Sequence, residues 1–396
     1  MKEKIVVVTV LGKDRPGLVA EITRLIASEK GNIVDIEQSV IRGLFSMFML
    51  VDLEKTKIDN KKFSDKLDKL GKKLSVNITT AAYSKYDGFA QTTKKHESYK
   101  LTILGIDKPG VVASVSETIY SSNTNIESIK MIARGDLLVM EMLIDLKKEE
   151  EMQELKTKLR GVGEKIGMDV VLQPESATRF RKRLIVFDMD STIVDGEVID
   201  ELATVAGVGK QVAQITARGM NGEIEFEESL RQRVKLLKGL SVDSLEAVRK
   251  NTKLMPGSVE LLRTLKDMGF KLALISGGFT FFTDELKERL GFDYAFANEL
   301  VVKKGIVTGD VRGRIIDSEG KAEILKELMK MENIPKEEVV AVGDGANDRI
   351  MLKAAGLGIA FNAKEVLKKS ADGSITKNNL KGLIYCLGVE NKTRKK

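Results

Sequence analysis

Three short polar clusters in the second half of the chain each follow an apolar run. Asp188-Met-Asp-Ser-Thr192 follows Leu184 to Phe187, Ser276-Gly-Gly278 follows Lys271 to Ile275, and Gly343-Asp-Gly-Ala-Asn-Asp348 follows Val339 to Val342. A carboxylate just past a hydrophobic strand, as at Asp188, is placed to act as an exposed nucleophile. Asp190 projects over the same pocket and is suited to give a proton to a leaving oxygen and then take one from water. A phosphate dianion approaching ionised Asp188 at ~4 Å meets a repulsion of about 4 kcal/mol per pair of unit charges at an effective dielectric of ~20, so the chemistry demands a cation. Asp188, Asp344 and the backbone carbonyl of Asp190 offer the hard oxygen ligands that Mg2+ prefers. Lys321 adds a second positive charge. The Ser276 hydroxyl and the Gly277 amide, with Asn347 from the third cluster, can hold phosphate oxygens. Together these residues form a set for phosphoryl transfer through an aspartyl phosphate.

Such a set works only if its members converge. The runs Leu184 to Phe187, Lys271 to Ile275, Val339 to Val342 and Gly358 to Phe361 are separated by helical stretches. That alternation predicts a buried, doubly wound parallel sheet in an α/β domain. All three polar clusters then fall at the carboxyl ends of strands, where open α/β sheets bind their ligands. Between the first two strands, Ile199 to Leu254 reads as an inserted helical cap, with Gly219 to Gly222 as a loop.

The first half carries an internal repeat. Leu11-Gly-Lys-Asp-Arg-Pro-Gly-Leu-Val-Ala20 recurs as Leu104-Gly-Ile-Asp-Lys-Pro-Gly-Val-Val-Ala113, and Asn32-Ile33 aligns with Asn125-Ile126 without a gap. Each copy reads as strand, Pro-Gly turn, helix, two strands, helix and strand, with helices at Asn60 to Lys73 and Glu149 to Ile166. This order predicts two α+β ferredoxin-like domains, each with helices on one face of an antiparallel sheet. Gln91 to Tyr99 reads as the linker between copies and Pro174 to Thr178 as the connector onward. The expected domains are residues 1–92, 93–177 and 178–396, with the cap at about 197–254.

Composition narrows the chemistry further. Of 396 residues one is histidine, His96, and one is cysteine, Cys386, which excludes a histidine-based triad, a His-rich zinc site and an intramolecular disulfide within one chain. A chain without disulfides suits a reducing compartment, and a cytoplasmic location is the expectation. The net charge of +7 raises the question of nucleic acid, yet aromatics make up only 5% and tryptophan is absent, so no base-stacking platform is expected. Part of the excess lies in the tail Lys392, Arg394, Lys395 and Lys396. No apolar run approaches the ~20 residues that cross a bilayer. Ile5 to Leu11, followed by Lys13, Asp14, Arg15 and Pro16, reads as a buried strand rather than a cleaved leader.

Asp188-Met-Asp-Ser-Thr192, Ser276-Gly-Gly-Phe279, Lys321 and Gly343-Asp-Gly-Ala-Asn-Asp348 resemble the four motifs of the haloacid dehalogenase superfamily, over about residues 180 to 390. Within it, Glu197 and the Phe226-Glu-Glu-Ser-Leu-Arg-Gln-Arg-Val234 stretch resemble the phosphoserine phosphatase family. That resemblance implies Mg-dependent hydrolysis of O-phospho-L-serine, the last step of serine biosynthesis, with Glu197 and Arg233 gripping the amino-acid head and Met220 and Phe226 closing an apolar lid. The duplicated front half resembles the ACT domain. This implies an amino-acid effector, serine or similar, near Asp14 to Gly17 and Asp107 to Gly110 with Asn32 and Asn125, and a homodimer built on paired sheets. Other small phosphorylated amino acids, such as phosphohomoserine, remain alternative substrates. An inactive amino-acid-responsive regulator is the reading from a different class.

Overall fold

The computed structural model describes residues 5–83, 97–133, 137–146, 151–179, 182–221, 223–376 and 380–387. Two compact units comprise residues 1–95 and 96–396. In the first, β1 (Ile5–Lys13), α1 (Leu18–Ser28), β2 (Asn32–Ile41), β3 (Leu44–Asp52), α2 (Asn60–Leu74) and β4 (Val76–Ala82) form an antiparallel sheet in the order β2-β3-β1-β4. Val6, Val8 and Val10 alternate inward along β1 and meet Leu18, Ile22 and Ile26 of α1 and Phe63 and Leu67 of α2. One side of the sheet therefore carries both helices. Gly17 caps α1 at φ 94°, a left-handed backbone that glycine adopts without penalty.

The second unit opens with the same order: β5 (Glu97–Gly105), α3 (Val111–Ser121), β6 (Asn125–Ala133), β7 (Leu138–Leu146), α4 (Met152–Ile166) and β8 (Met168–Pro174). The linker reading extends too far, because Glu97 to Tyr99 already belong to β5; residues 91–96 lie outside those described. Pro174 ends β8 and the rest of the expected connector is a short helix, α5 (Glu175–Arg179).

Then follow β9 (Leu184–Phe187), the cap helices α6 (Val198–Val205), α7 (Gly209–Met220), α8 (Phe226–Leu236) and α9 (Val242–Asn251), and α10 (Ser258–Asp267). Next come β10 (Lys271–Phe279), α11 (Thr280–Leu290), the strands β11 (Tyr294–Lys303) and β12 (Ile306–Arg312), and α12 (Ser318–Met331). The chain continues as β13 (Val339–Gly343), α13 (Arg349–Ala354), β14 (Leu357–Phe361), α14 (Glu365–Ser370) and β15 (Gly373–Ile375). The loop expected from Gly219 begins later, since α7 continues to Met220; Gly222 lies outside the described residues.

Parallel pairing sets the site. Phe187 of β9 lies beside Leu274 of β10 and Val342 of β13, so the chain beyond these three residues emerges at one level, with Ser276 to Gly278 inside the last, irregular stretch of β10 rather than after the strand. Every residue of β9 and β13 is buried, as expected of strands covered on both faces. The antiparallel bridge Val194↔Leu254 closes the base of the cap insertion.

The sheet does not stop at these parallel strands. One eleven-stranded sheet runs β12-β11-β10-β9-β13-β14-β15-β8-β5-β7-β6, joined at β15 and β8 by the antiparallel pair Gly373↔Val171. Around that seam, Leu172 N donates to Asp372 O at 3.3 Å, Thr376 N to Asp169 Oδ1 at 3.0 Å and Gln173 Nε2 to Cys386 O at 3.3 Å. Leu104, Val139 and Val171 share a core with Ile185 and Phe187. Cys386 is buried there, and burial followed by the charge of Asp169 pushes its thiol up to about 12. No helix among the described residues is long and apolar enough to cross a membrane.

Candidate active site

Asp188 continues β9 by one residue, its N–H donating to Val342 O at 2.9 Å, and the chain then turns so that Met189 N donates to Asp188 Oδ1 at 2.8 Å. The Lys321 ammonium lies 2.8 Å from Asp188 Oδ1 and 2.7 Å from Asp348 Oδ1 with no exposure of its own. Burial disfavours that ammonium, but Asp188 and Asp348 outweigh burial and hold it charged. The other oxygen of Asp348 accepts the N–H groups of Asp344 and Gly345 at 3.1 and 3.0 Å. Asp348 therefore ties the third cluster to α12, a role the sequence reading did not assign, although the residue closes a cluster already singled out.

Negative charge is in excess here. Oxygens of Asp188, Asp344 and Asp348 all lie within 4.8 Å of one another. Burial first, then Asp348, pushes Asp188 up against the pull of Lys321, and burial with Asp348 and Glu197 pushes Asp344 up to about 7. Three clustered carboxylates around one ammonium fit a cation, which would remove the crowding. Asp348 has both oxygens engaged, Oδ1 by Lys321 and Oδ2 by two amides, while the contacts to Asp188 fall on its Oδ1.

Asp190 Oδ1 accepts the N–H of Val198 at 2.9 Å, fastening this carboxyl to the first turn of the cap. Burial and then the charge of Glu197 raise Asp190 to about 8. Ser191 holds a left-handed backbone at φ 53° and donates from Oγ to Glu197 Oε1 at 3.1 Å. A serine in that region marks local strain at a functional turn, and nothing in the sequence pattern points to it. Burial pulls the Arg233 guanidinium down, opposed in turn by Asp200, Glu197 and Asp190. Arg233 and Glu197 are thus brought within electrostatic reach of Asp190, and Asp200 is an addition to the expected set.

In the second cluster, Gly278 N donates to Ser276 Oγ at 2.9 Å. A Cβ placed on Gly277 would lie 3.1 Å from Phe226 Cζ, so Phe226 of α8 lies against this second cluster. Met220 ends α7, and its side chain lies outside what is described. Asn347 is part of a helical turn between Asp344 and α13 and is half-buried.

Among the effector candidates, Asp107 and Gly110 line a cavity of about 520 Å³ with Lys108, Val111, Met131 and Leu138. Asn125 begins β6 as an exposed residue and is not part of that lining; Asp14, Gly17 and Asn32 are exposed in the first unit.

The family model for haloacid dehalogenase-like hydrolase matches residues 182–356, and that for the ACT domain matches 4–80 and 101–173. A phosphoserine phosphatase of Archaeoglobus fulgidus is 50% identical over 298 residues, 75% of this chain and 86% of the relative. One of Streptomyces coelicolor is 36% identical over 393 residues, 96% of this chain and 92% of the relative. A solved phospho-aspartyl intermediate analogue of phosphoserine phosphatase is 48% identical with a TM-score of 0.50, covering 52% of this chain and 98% of that one. The chain belongs to the phosphoserine phosphatase family, as an enzyme with a haloacid dehalogenase-like hydrolase fold preceded by two ACT domains.

Proposed function

We propose that this chain hydrolyses O-phospho-L-serine through an aspartyl phosphate on Asp188. The observation that carries the reading is the buried contact of Asp188 with Lys321 inside a carboxylate cluster at the end of the central strand. An Asp188 oxygen attacks phosphorus while the bond from phosphorus to the serine oxygen breaks, and Asp190 gives that oxygen its proton. Asp190, now a carboxylate, takes a proton from the water that attacks phosphorus next. The bond to Asp188 breaks and phosphate leaves. Magnesium held by Asp188, Asp344 and the Asp190 carbonyl would supply the positive charge that lets a dianion approach the nucleophile. Lys321, Ser276, Gly277 and Asn347 hold phosphate oxygens. Glu197 takes the substrate ammonium and Arg233 its carboxylate, while Phe226 and Met220 keep water out.

In the same reading residues 1–92 and 93–177 are regulatory and 178–396 catalytic, with an amino-acid effector, serine or similar, in the cavity at Asp107 and Gly110. The chain works in the cytoplasm. Apolar residues exposed on β2 and β6, among them Ile36 and Ile129, support a homodimer. Sedimentation at the monomer mass would remove that part, and titration with serine, glycine and threonine giving no heat would remove the effector.

The test is phosphate release from O-phospho-L-serine with magnesium, beside excess chelator and an Asp188→Asn chain. Release that needs magnesium and vanishes in the variant is expected. Folded protein that releases phosphate faster from phosphohomoserine overturns the substrate, and protein inert towards both overturns the reading in favour of a regulator.

A further inference from the structure

Asn298 lies in β11, outside every polar cluster that marks the site, and is 1% exposed. A primary amide at that depth must find partners for its donors and its acceptor. Its Nδ2 donates to Gly277 O at 2.8 Å, and its Oδ1 accepts from Ile316 N at 2.8 Å. These two backbone groups belong to different parts of the phosphate site. Gly277 is in the bulged stretch of β10 that follows its apolar run. Ile316 immediately precedes Asp317, whose carboxylate accepts Gly320 N at 2.8 Å and caps α12, the helix that bears Lys321.

Strand pairing shows why a side chain is needed. The ladder between β10 and β11 holds as far as Ile275↔Phe296, shifts register, and resumes only at Phe279↔Asn298. Residues 276–278 thus bulge out of the ladder, and the Gly277 carbonyl takes its hydrogen bond from the Asn298 side chain. Fixing that carbonyl fixes the whole Gly277–Gly278 peptide plane, because a peptide unit is rigid. The N–H in that plane belongs to Gly278 and donates to Ser276 Oγ at 2.9 Å. With a lone pair of Oγ occupied in this way, the hydroxyl proton of Ser276 is left to donate elsewhere.

We propose that Asn298 is a positioning residue for phosphate: through the Gly277–Gly278 peptide it orients the Ser276 hydroxyl as a donor, and through Ile316 it holds that donor in register with the helix of Lys321. The inference rests on the phosphate-binding reading of Ser276 and Lys321.

The test is binding of inorganic phosphate to the full chain with magnesium, by calorimetry, for wild type, Asn298→Ala, Asn298→Asp, Ser276→Ala and the double variant Asn298→Ala with Ser276→Ala. Asn298→Asp keeps an acceptor for Ile316 N but sets an oxygen against the Gly277 carbonyl. It should weaken phosphate roughly ten- to a hundredfold, the scale of a lost hydrogen bond to a charged ligand, and raise KM more than it lowers kcat. If the effect runs through Ser276, the double variant should bind little worse than Ser276→Ala alone. Asn298→Asp with wild-type phosphate affinity, or losses that add fully in the double variant, overturns the proposal. Thermal unfolding of each chain separates these outcomes from a collapsed fold, and if Asn298→Ala does not fold the Asn298→Asp result decides alone. A wild-type chain that binds no phosphate overturns the reading of the site itself, a distinct failure.

Discussion

Lys321 and Asp348 face each other at 2.7 Å with neither side chain retaining any exposure. The same aspartate receives the amides of Asp344 and Gly345, so one carboxylate holds both the helix of Lys321 and the loop of Asp344. An Asp348→Asn chain would turn an amide towards donors that need an acceptor. Losing one partner of a buried pair costs about 3–5 kcal/mol, and because Lys321 keeps Asp188 the loss should fall near the lower end, read by urea unfolding. Turnover should fall about a hundredfold or more, since Lys321 would then sit on the nucleophile alone. Wild-type stability in this variant would show that Asp348 is not the tie described.

Crowding of Asp188, Asp344 and Asp348 makes a prediction about metal removal. Magnesium should raise the melting temperature of the wild-type chain, by several degrees at saturating ion, and chelator should reverse it. Asp344→Asn removes one repelling charge. It should melt higher than wild type in chelator and lose the response to magnesium. A variant that melts lower in chelator would contradict the charge argument.

A Cβ on Gly277 would press on Phe226 Cζ of the cap at 3.1 Å, so the ring would have to shift by a few tenths of an ångström, and would touch Ile316 O at 3.5 Å. Gly277→Ala should lower kcat about tenfold while leaving unfolding within about 1 kcal/mol of wild type, because the clash falls on closure of the cap. Adding Phe226→Leu should recover part of the loss, which steady-state kinetics on the double variant would check.

Acid stability should report on Asp293. Burial alone would raise this carboxyl, but the Leu272 N–H and the ammonium groups of Lys266 and Lys271 win and hold it low. A depressed carboxyl contributes stability that is present above its unfolded pKa of roughly 4 and is lost as pH falls through the folded value. Both lysines are substantially exposed, so the contribution is about 1 kcal/mol or less. Wild type and Asp293→Asn should differ by that amount near neutral pH in chemical unfolding and converge in acid. A gap that widens on acidification would reverse the sign.

The strand ends that carry the site were legible because a strand covered on both faces must be an uninterrupted apolar run, and β9, β13 and β14 are buried throughout. The repeat was legible because the turn Leu11-Gly-Lys-Asp-Arg-Pro-Gly17 recurs as Leu104-Gly-Ile-Asp-Lys-Pro-Gly110, and each copy ends in a left-handed glycine that starts a helix. Less visible were residues whose work is done through backbone groups. Asn298 looks like any polar residue on a strand until its two amide contacts are seen, and the φ of Ser191 leaves no trace in its neighbours' types. Asn125 was placed near the effector turn by the resemblance to the ACT domain, yet the cavity there is completed by Met131 and Leu138. Chain segments distant in sequence close that wall, and local pattern cannot report them.

The seam between β15 and β8 also decides where the polypeptide tolerates a cut. A Cβ on Gly373 would lie 2.3 Å from Val171 Cγ2, so the Val171 side chain fills space that only a glycine leaves open. Severing the chain after residue 177 would strip β8, and Val171 with it, from this edge and leave β15 with open hydrogen-bonding groups. Bare edges of that kind recruit other strands. A chain shortened to residues 178–396 is therefore expected to self-associate more than the full chain, which sedimentation of the two would check.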